Sequence, residues 1–229
     1  MRRVIIGTPT YSGNVSMRFC CALVKTCRMA AERGVNIDIV YTAGDALIQK
    51  SRNYLIAFAI LHNVDDLIFI DDDIEWDPEW IFKLLNFPFD VVSGVYRKKI
   101  DEEMYAINIK VPFITDSRTG LIQAEGLPTG FLKLSYKACK ALWDSSEPYK
   151  NGLLPSERMI FDLQIIDGSL YSEDYIMSKK LLNLGFDLWC CPYMCCVHIG
   201  QKPFVGHFIK YLERRGEFDQ QQSNDHSLH

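Results

Sequence analysis

The sequence predicts an α/β fold with a mostly parallel central sheet and helices on both of its faces. Three observations carry that prediction. Short apolar runs alternate with helix-like segments through roughly the first hundred residues, the pattern of a doubly wound sheet. Hydrophobic residues make up 48% of the 229, enough to bury a sizeable core. One apolar run, LIFI, ends directly in three aspartates, the position at which open α/β sheets carry their ligand sites.

The elements follow in order. Residues 4–8 (VIIGT) read as a strand that stops at Thr-Pro. Ser16 is placed to cap a helix running to Gly34, with Phe19, Leu23, Cys27 and Ala30 on one face at spacings of four, four and three. Residues 36–41 (NIDIVY) form a second strand, and residues 46–63 a second helix with Leu55, Ile56, Ala59 and Ile60 inward. Residues 67–70 form a third strand. Asp77-Pro78 supplies a cap and a first-turn proline for a third helix, and residues 89–95 a fourth strand.

After Lys98 the pattern changes. Shorter strand-like pieces cover 105–109, 121–124 and 131–134, with a helix near 135–143 and a polar loop over 144–158. A further helix over 172–184 is closed by Gly185, and residues 187–197 form a cysteine-rich strand. The expected organisation is one domain over 1–212, a nucleotide-binding half (1–100) and a smaller mixed acceptor-side half (101–212), with a polar tail over 213–229.

Composition narrows the function classes. A formal net charge of −4 gives no general reason to expect nucleic acid as a partner. No run approaches the ~18 apolar residues of a membrane span, and the N-terminus has too short an apolar stretch for a signal peptide. A soluble, cytoplasmic protein is expected, with its eight cysteines reduced.

The aspartates are the strongest functional signal. Two carboxylates about 4 Å apart repel by about 4 kcal/mol at an effective dielectric near 20, so a partly buried trio shifts its pKa values or recruits a cation. Asp71 and Asp73 are two apart and point the same way in extended backbone, whereas Asp72 points away. Asp-x-Asp can share one hard cation with open positions for phosphate oxygens. The bland alternative is a solvated acidic turn before a helix. A haloacid-dehalogenase-type phosphatase would carry such a motif on its first strand with Gly-Thr after it, which this chain lacks.

Taken together, TPTY (8–11), SRN (51–53), IDDDI (70–74), DVVSGVYRKK (90–99), GLPTGFLKLS (126–135), SED (172–174) and VHIG (197–200) resemble small glycosyltransferases of the GT-A fold, a Rossmann-like fold. The likeness is to those encoded by large algal DNA viruses and phages, and it covers roughly residues 3–200. The resemblance implies a metal-dependent transfer of sugar from a nucleoside-diphosphate sugar (a UDP- or GDP-sugar) to a hydroxyl of a glycan or glycoprotein. It implies that Asp73 is the direct metal ligand, that Asp71 contacts the ribose or the metal through water, and that Asp72 lies towards the donor sugar. His198 is implied as the second protein ligand, and Thr8, Pro9 and Tyr11 as the lining of the base and ribose pocket. Mn²⁺ is the expected ion, with Mg²⁺ as the alternative.

The same resemblance makes the SED segment the catalytic one, with Asp174 as the base of an inverting reaction and Glu173 beside it, whereas a retaining course would leave Asp174 to orient the acceptor. A first-turn position lowers the pKa of a carboxylate, which weakens it as a base. Gly130, in GLPTGFL, is the candidate turn beneath the donor sugar, although an ordinary Pro-Thr-Gly turn reads the same way. Arg52 and residues 97–99 are candidate diphosphate contacts or solvated charges. The cysteines of WCCPYMCCVH lack zinc-site spacing and read as strand packing.

Two other readings stay open. A sugar-1-phosphate nucleotidyltransferase would want a Gly-rich phosphate loop with a base after the first strand, and TPTYSGNVS has one glycine and no base. A non-catalytic carbohydrate-binding module on the same fold has no need of the whole carboxylate and histidine set.

Overall fold

The computed structural model describes residues 1–150 and 154–216. In chain order the strands are β1 (Arg3–Pro9), β2 (Asn36–Thr42), β3 (Asp66–Ile70), β4 (Ile74–Glu75), β5 (Val91–Tyr96), β6 (Asn108–Ile109) and β7 (Ile122–Gly126). They continue as β8 (Phe131–Ser135), β9 (Pro148–Tyr149), β10 (Glu157–Arg158), β11 (Gln164–Ile166), β12 (Ser169–Tyr171), β13 (Leu188–Ile199) and β14 (Pro203–Phe204). The helices are α1 (Met17–Glu32), α2 (Ile48–His62), α3 (Pro78–Asn86), α4 (Tyr136–Ser145), α5 (Glu173–Asn183) and α6 (Phe208–Arg214).

The central sheet runs β2-β1-β3-β8-β5-β13-β7-β6, with β4 and β14 added along β13. Strands β2, β1, β3, β5 and β13 run one way, and β8 and β7 oppose their neighbours. Helices cover both faces. One core joins the sheet to α2, α4, α5 and α6 through residues such as Leu55, Leu142, Met177 and Phe208. The other joins it to α1 and α3 through Phe19, Ile81 and Leu84. The α/β class with a mostly parallel sheet is therefore the architecture of this chain.

Local chemistry sets the element ends. The Ser16 hydroxyl accepts from Phe19 N at 3.1 Å, and the Asp77 carboxylate accepts from Glu79 N at 3.0 Å, so two exposed helix starts are satisfied. Helix α2 ends where Asn63 takes φ 50°. Helix α1 buries Ala22 and Thr26 beside Phe19 and Ala30, where Leu23 and Cys27 were expected inward. The polar Thr26 is tolerated because its hydroxyl donates to Ala22 O at 2.9 Å and accepts from Trp76 Nε1 at 3.1 Å.

Two placements matter for function. Strand β8 inserts antiparallel between β3 and β5, pairing Phe131 with Ile70, so the turn before it abuts the end of β3. Strand β13 runs parallel to β5, shifts register between Cys190 and Cys195, and continues antiparallel to β4, where His198 faces Ile74. Strands from before and after residue 100 thus alternate within one sheet.

The expected tail over 213–229 lies mostly outside the described residues, Glu213 and Arg214 closing α6. Among the described residues no helix is long and apolar enough to cross a membrane.

Candidate active site

The three aspartates leave the carboxyl end of β3 in a tight turn. Asp71 N donates to Gly130 O at 3.1 Å, and Ile74 N returns to Asp71 O at 3.1 Å. The chain then enters β4 against β13, and Ile199 N donates to Asp73 O at 2.7 Å. Distant sequence is thereby delivered to the same point, and each carboxylate meets different partners.

Asp71 turns onto Arg52. The guanidinium Nη2 donates to both Asp71 oxygens, at 2.9 and 3.0 Å, while Nη1 pairs with Glu173. Arg52 is only 4% exposed, although it sits in a polar stretch of α2 that reads as solvated. Burial opposes its charge, but Asp71 and Glu173 outweigh burial and raise its pKa. Tyr96 completes the knot. Its hydroxyl accepts from Gly130 N at 3.0 Å, and burial with the nearby Asp71 charge raises the phenol well above its ordinary value. A Cβ on Gly130 would lie 2.7 Å from the Tyr96 hydroxyl and 2.9 Å from Asp71 Oδ2, so any side chain here forces those groups to shift.

Asp73 is more open. Its Oδ2 pairs with the Lys99 ammonium, and Oδ1 lies 3.4 Å from His198 Nε2. His198 Nδ1 lies 2.9 Å from Arg97 O, and a carbonyl only accepts, so Nδ1 carries the proton. Nε2 is thus the ring nitrogen that faces Asp73: protonated, it donates to the carboxylate, and deprotonated, it offers a lone pair to a cation. The Tyr96 ring braces the imidazole edge-on at 5.1 Å. Burial works against the Asp73 carboxylate, yet the hydrogen bonds from His198 and Lys99 prevail and hold its pKa below the usual range.

A carboxylate and an imidazole with a carbonyl-fixed tautomer form a donor set that fits a divalent cation. Among the described residues no group of three or more His, Cys, Asp and Glu is arranged around a metal position, so any such ion draws its other ligands from substrate or water.

Asp72 takes a third environment. Burial raises its pKa, a hydrogen bond from Thr10 partly offsets this, and the charges of Asp73 and Asp71 add to the rise. Thr8 and Pro9 are buried at the end of β1, and Tyr11 is 70% exposed. The buried Thr8 and Thr42 hydroxyls have no protein partner among the described residues. A cleft of about 280 Å³ opens where β2 meets the start of α2, lined by Thr42, Gly44, Asp45, Lys50, Ser51 and Tyr54.

Helix α5 begins at the site. Glu173 is held by Arg52, which leaves it a poor candidate for the base. Asp174 accepts from the Ser172 hydroxyl and from Tyr175 N, and both bonds fall on Oδ1. Its Oδ2 has no protein partner among the described residues. The hairpin of β11 and β12, turned at Asp167-Gly168, leads straight into this segment, and Tyr171 stacks on Tyr175 at 4.5 Å. The Asp-Gly pair is the hairpin signal that would have found it in the sequence.

The basic cluster divides. The Arg97 guanidinium donates to Ile100 O and Asp101 O, and exposed Lys98 bonds Met104 O through its backbone, so Lys99 alone of the three reaches the aspartates. Of the cysteines around Trp189, Cys190, Cys191 and Cys196 are buried, and burial raises all three thiols; all eight cysteines are free.

No protein-family model matches the chain, and no curated protein matches its sequence. Among solved structures, the chain is similar to A197 from STIV, with a TM-score of 0.56 and 15% identity over 90% of this chain and 94% of that one. That likeness is one of fold. A glycosyltransferase involved in the glycosylation of the major capsid of PBCV-1 aligns with a TM-score of 0.35 and 10% identity, over 61% of this chain and 63% of that one. The inositol-1-phosphate CTP transferase from T. maritima aligns with a TM-score of 0.38 and 12% identity, over 85% of each chain. Likenesses this distant carry no argument about chemistry, which rests on the site itself.

Proposed function

We propose that this chain is a glycosyltransferase that moves a sugar from a nucleoside-diphosphate sugar to a hydroxyl acceptor, with Asp73 and His198 holding a divalent cation. The observation that carries the reading is the delivery of His198 by β13 to within 3.4 Å of Asp73, at the carboxyl end of β3. A nucleotidyltransferase is less favoured because the loop after β1 offers one glycine and no basic side chain for phosphates.

The cleft between the end of β2 and the start of α2, with the unpartnered Thr42 hydroxyl in its lining, supports a base and ribose site there, although Thr8, Pro9 and Tyr11 do not line it. Mn²⁺, or Mg²⁺, held by Asp73 and His198 supplies neutralisation of the charge that grows on the leaving diphosphate. Asp71, engaged by Arg52, shapes the pocket rather than ligating directly, and Asp72 faces the donor with a carboxyl of raised pKa. In the inverting course, Asp174 Oδ2 takes the proton of the acceptor hydroxyl as its oxygen bonds to the anomeric carbon. The bond from that carbon to the diphosphate oxygen breaks, and the electron pair leaves with the diphosphate. Ser172 and Tyr175 N hold Oδ1 and thereby aim Oδ2.

The test is a panel of UDP-, GDP- and dTDP-sugars assayed for hydrolysis and transfer with Mn²⁺ and with chelator. At least one donor is expected to turn over with Mn²⁺ alone, with inversion at the anomeric carbon by NMR. Asp174→Asn is expected to lower kcat by about 10²–10⁴. Absence of turnover and of donor binding across the panel would sink the reading.

A further inference from the structure

The Lys99 ammonium pairs with Asp73 Oδ2, the second oxygen of the carboxylate whose Oδ1 faces His198, and nothing in the sequence announces that contact. The lysine stem is guided there. A Cβ on Gly200 would lie 3.3 Å from Lys99 Cδ and 3.2 Å from Phe204 Cε2, so the glycine two residues after His198 leaves a lane along which the stem lies. The Lys99 side chain is 35% exposed, so solvent reaches it, whereas the Arg52 side chain across the site is 4% exposed. A monovalent and a divalent cation on one carboxylate repel each other, so the two cannot share Asp73 at full strength.

We infer that Lys99 is a built-in counter-cation of Asp73, which opposes a divalent ion on the same carboxylate and whose ammonium turns to the diphosphate brought with that ion. Resting on the cation reading above, this assigns Lys99 two positions. Without nucleotide it compensates the charge of Asp73 and weakens metal binding. With nucleotide it turns to the phosphate oxygens, so metal and nucleotide bind more tightly together than apart.

The full chain is titrated with Mn²⁺, followed by the EPR signal of the free ion, for the parent, Lys99→Met, Lys98→Met and Asp73→Ala. Lys99→Met is expected to bind Mn²⁺ about fivefold more tightly than the parent, and Lys98→Met to stay within about twofold. With Mn²⁺ saturating, Lys99→Met is expected to lose about tenfold in affinity for UDP or GDP by calorimetry. Equal or weaker Mn²⁺ binding by Lys99→Met overturns the counter-cation role, and unchanged nucleotide affinity overturns the transfer to diphosphate. If Asp73→Ala abolishes Mn²⁺ binding while Lys99→Met leaves it unchanged, the Asp73–His198 site stands and the inference falls. If no version, the parent included, depletes the free Mn²⁺ signal, both fall together.

Discussion

Asp71 and Asp73 stand two residues apart at the end of one strand, and the fold uses them in opposite ways. Asp71 is knotted to a guanidinium that is 4% exposed, with Glu173 on the far side, Tyr96 alongside and Gly130 packed beneath. Asp73 faces an imidazole and a partly exposed ammonium, with about a third of its side chain in solvent. Charge and residue type are identical; what differs is whether the counter-charge is locked. The buried knot joins β3 to α5 and is structural, while the open pair is the one that can exchange partners.

The most forceful way to break this comparison is Arg52→Met. It leaves two inward-facing carboxylates without their shared cation, and unfolding in urea is expected to show a loss of about 3–5 kcal/mol. A loss below about 1 kcal/mol would mean that the knot is not structural.

A second buried cation sharpens the point. Lys133 on β8 is 2% exposed and donates to Phe89 O at 2.5 Å, without the paired carboxylates that Arg52 enjoys. Burial pulls its pKa down from 10.5 to about 8. The unfolded chain therefore holds a proton between about pH 8 and 10.5 that the folded chain has released, and stability gained from this group rises with pH across that window. The full effect is about 3 kcal/mol. Read as the stability difference between Lys133→Met and the parent, the variant's advantage is expected to be largest below pH 8 and to shrink as pH rises to 10.5. A difference that is flat with pH would contradict it.

Gly130→Ala tests how tightly the knot is packed. Its Cβ meets the Tyr96 hydroxyl and Asp71, and thermal melting is expected to report a loss of about 1–3 kcal/mol. Smallest of all in stability is Asp73→Ala. Removing the half-open partner of Lys99 is expected to change unfolding free energy by no more than about 1 kcal/mol.

Much of this division was hidden from the sequence for identifiable reasons. The apolar runs and the capping residues Ser16 and Asp77 placed β1, β3, α1 and α3 closely, because period and cap chemistry are local. The run at 131–134 was legible as a strand, yet its antiparallel insertion between β3 and β5 was not, since a strand-like run carries no direction. Arg52 reads as solvated beside Gln49 and Lys50, and its partner Glu173 lies far along the chain. His198 came into view through the family resemblance alone, because its meeting with Asp73 depends on the register of β13. The hairpin of β11 and β12 went unread although Asp167-Gly168 marks its turn.

The measurement closest to the central claim sets Asp73→Asn beside Asp71→Asn, recording donor-sugar turnover with Mn²⁺ and the melting temperature of the same samples. Asp73→Asn is expected to abolish turnover and melt like the parent, while Asp71→Asn melts lower because its bond to Arg52 is weakened. Turnover by Asp73→Asn at the parent's rate, or a melting temperature for Asp71→Asn equal to the parent's, would contradict the account.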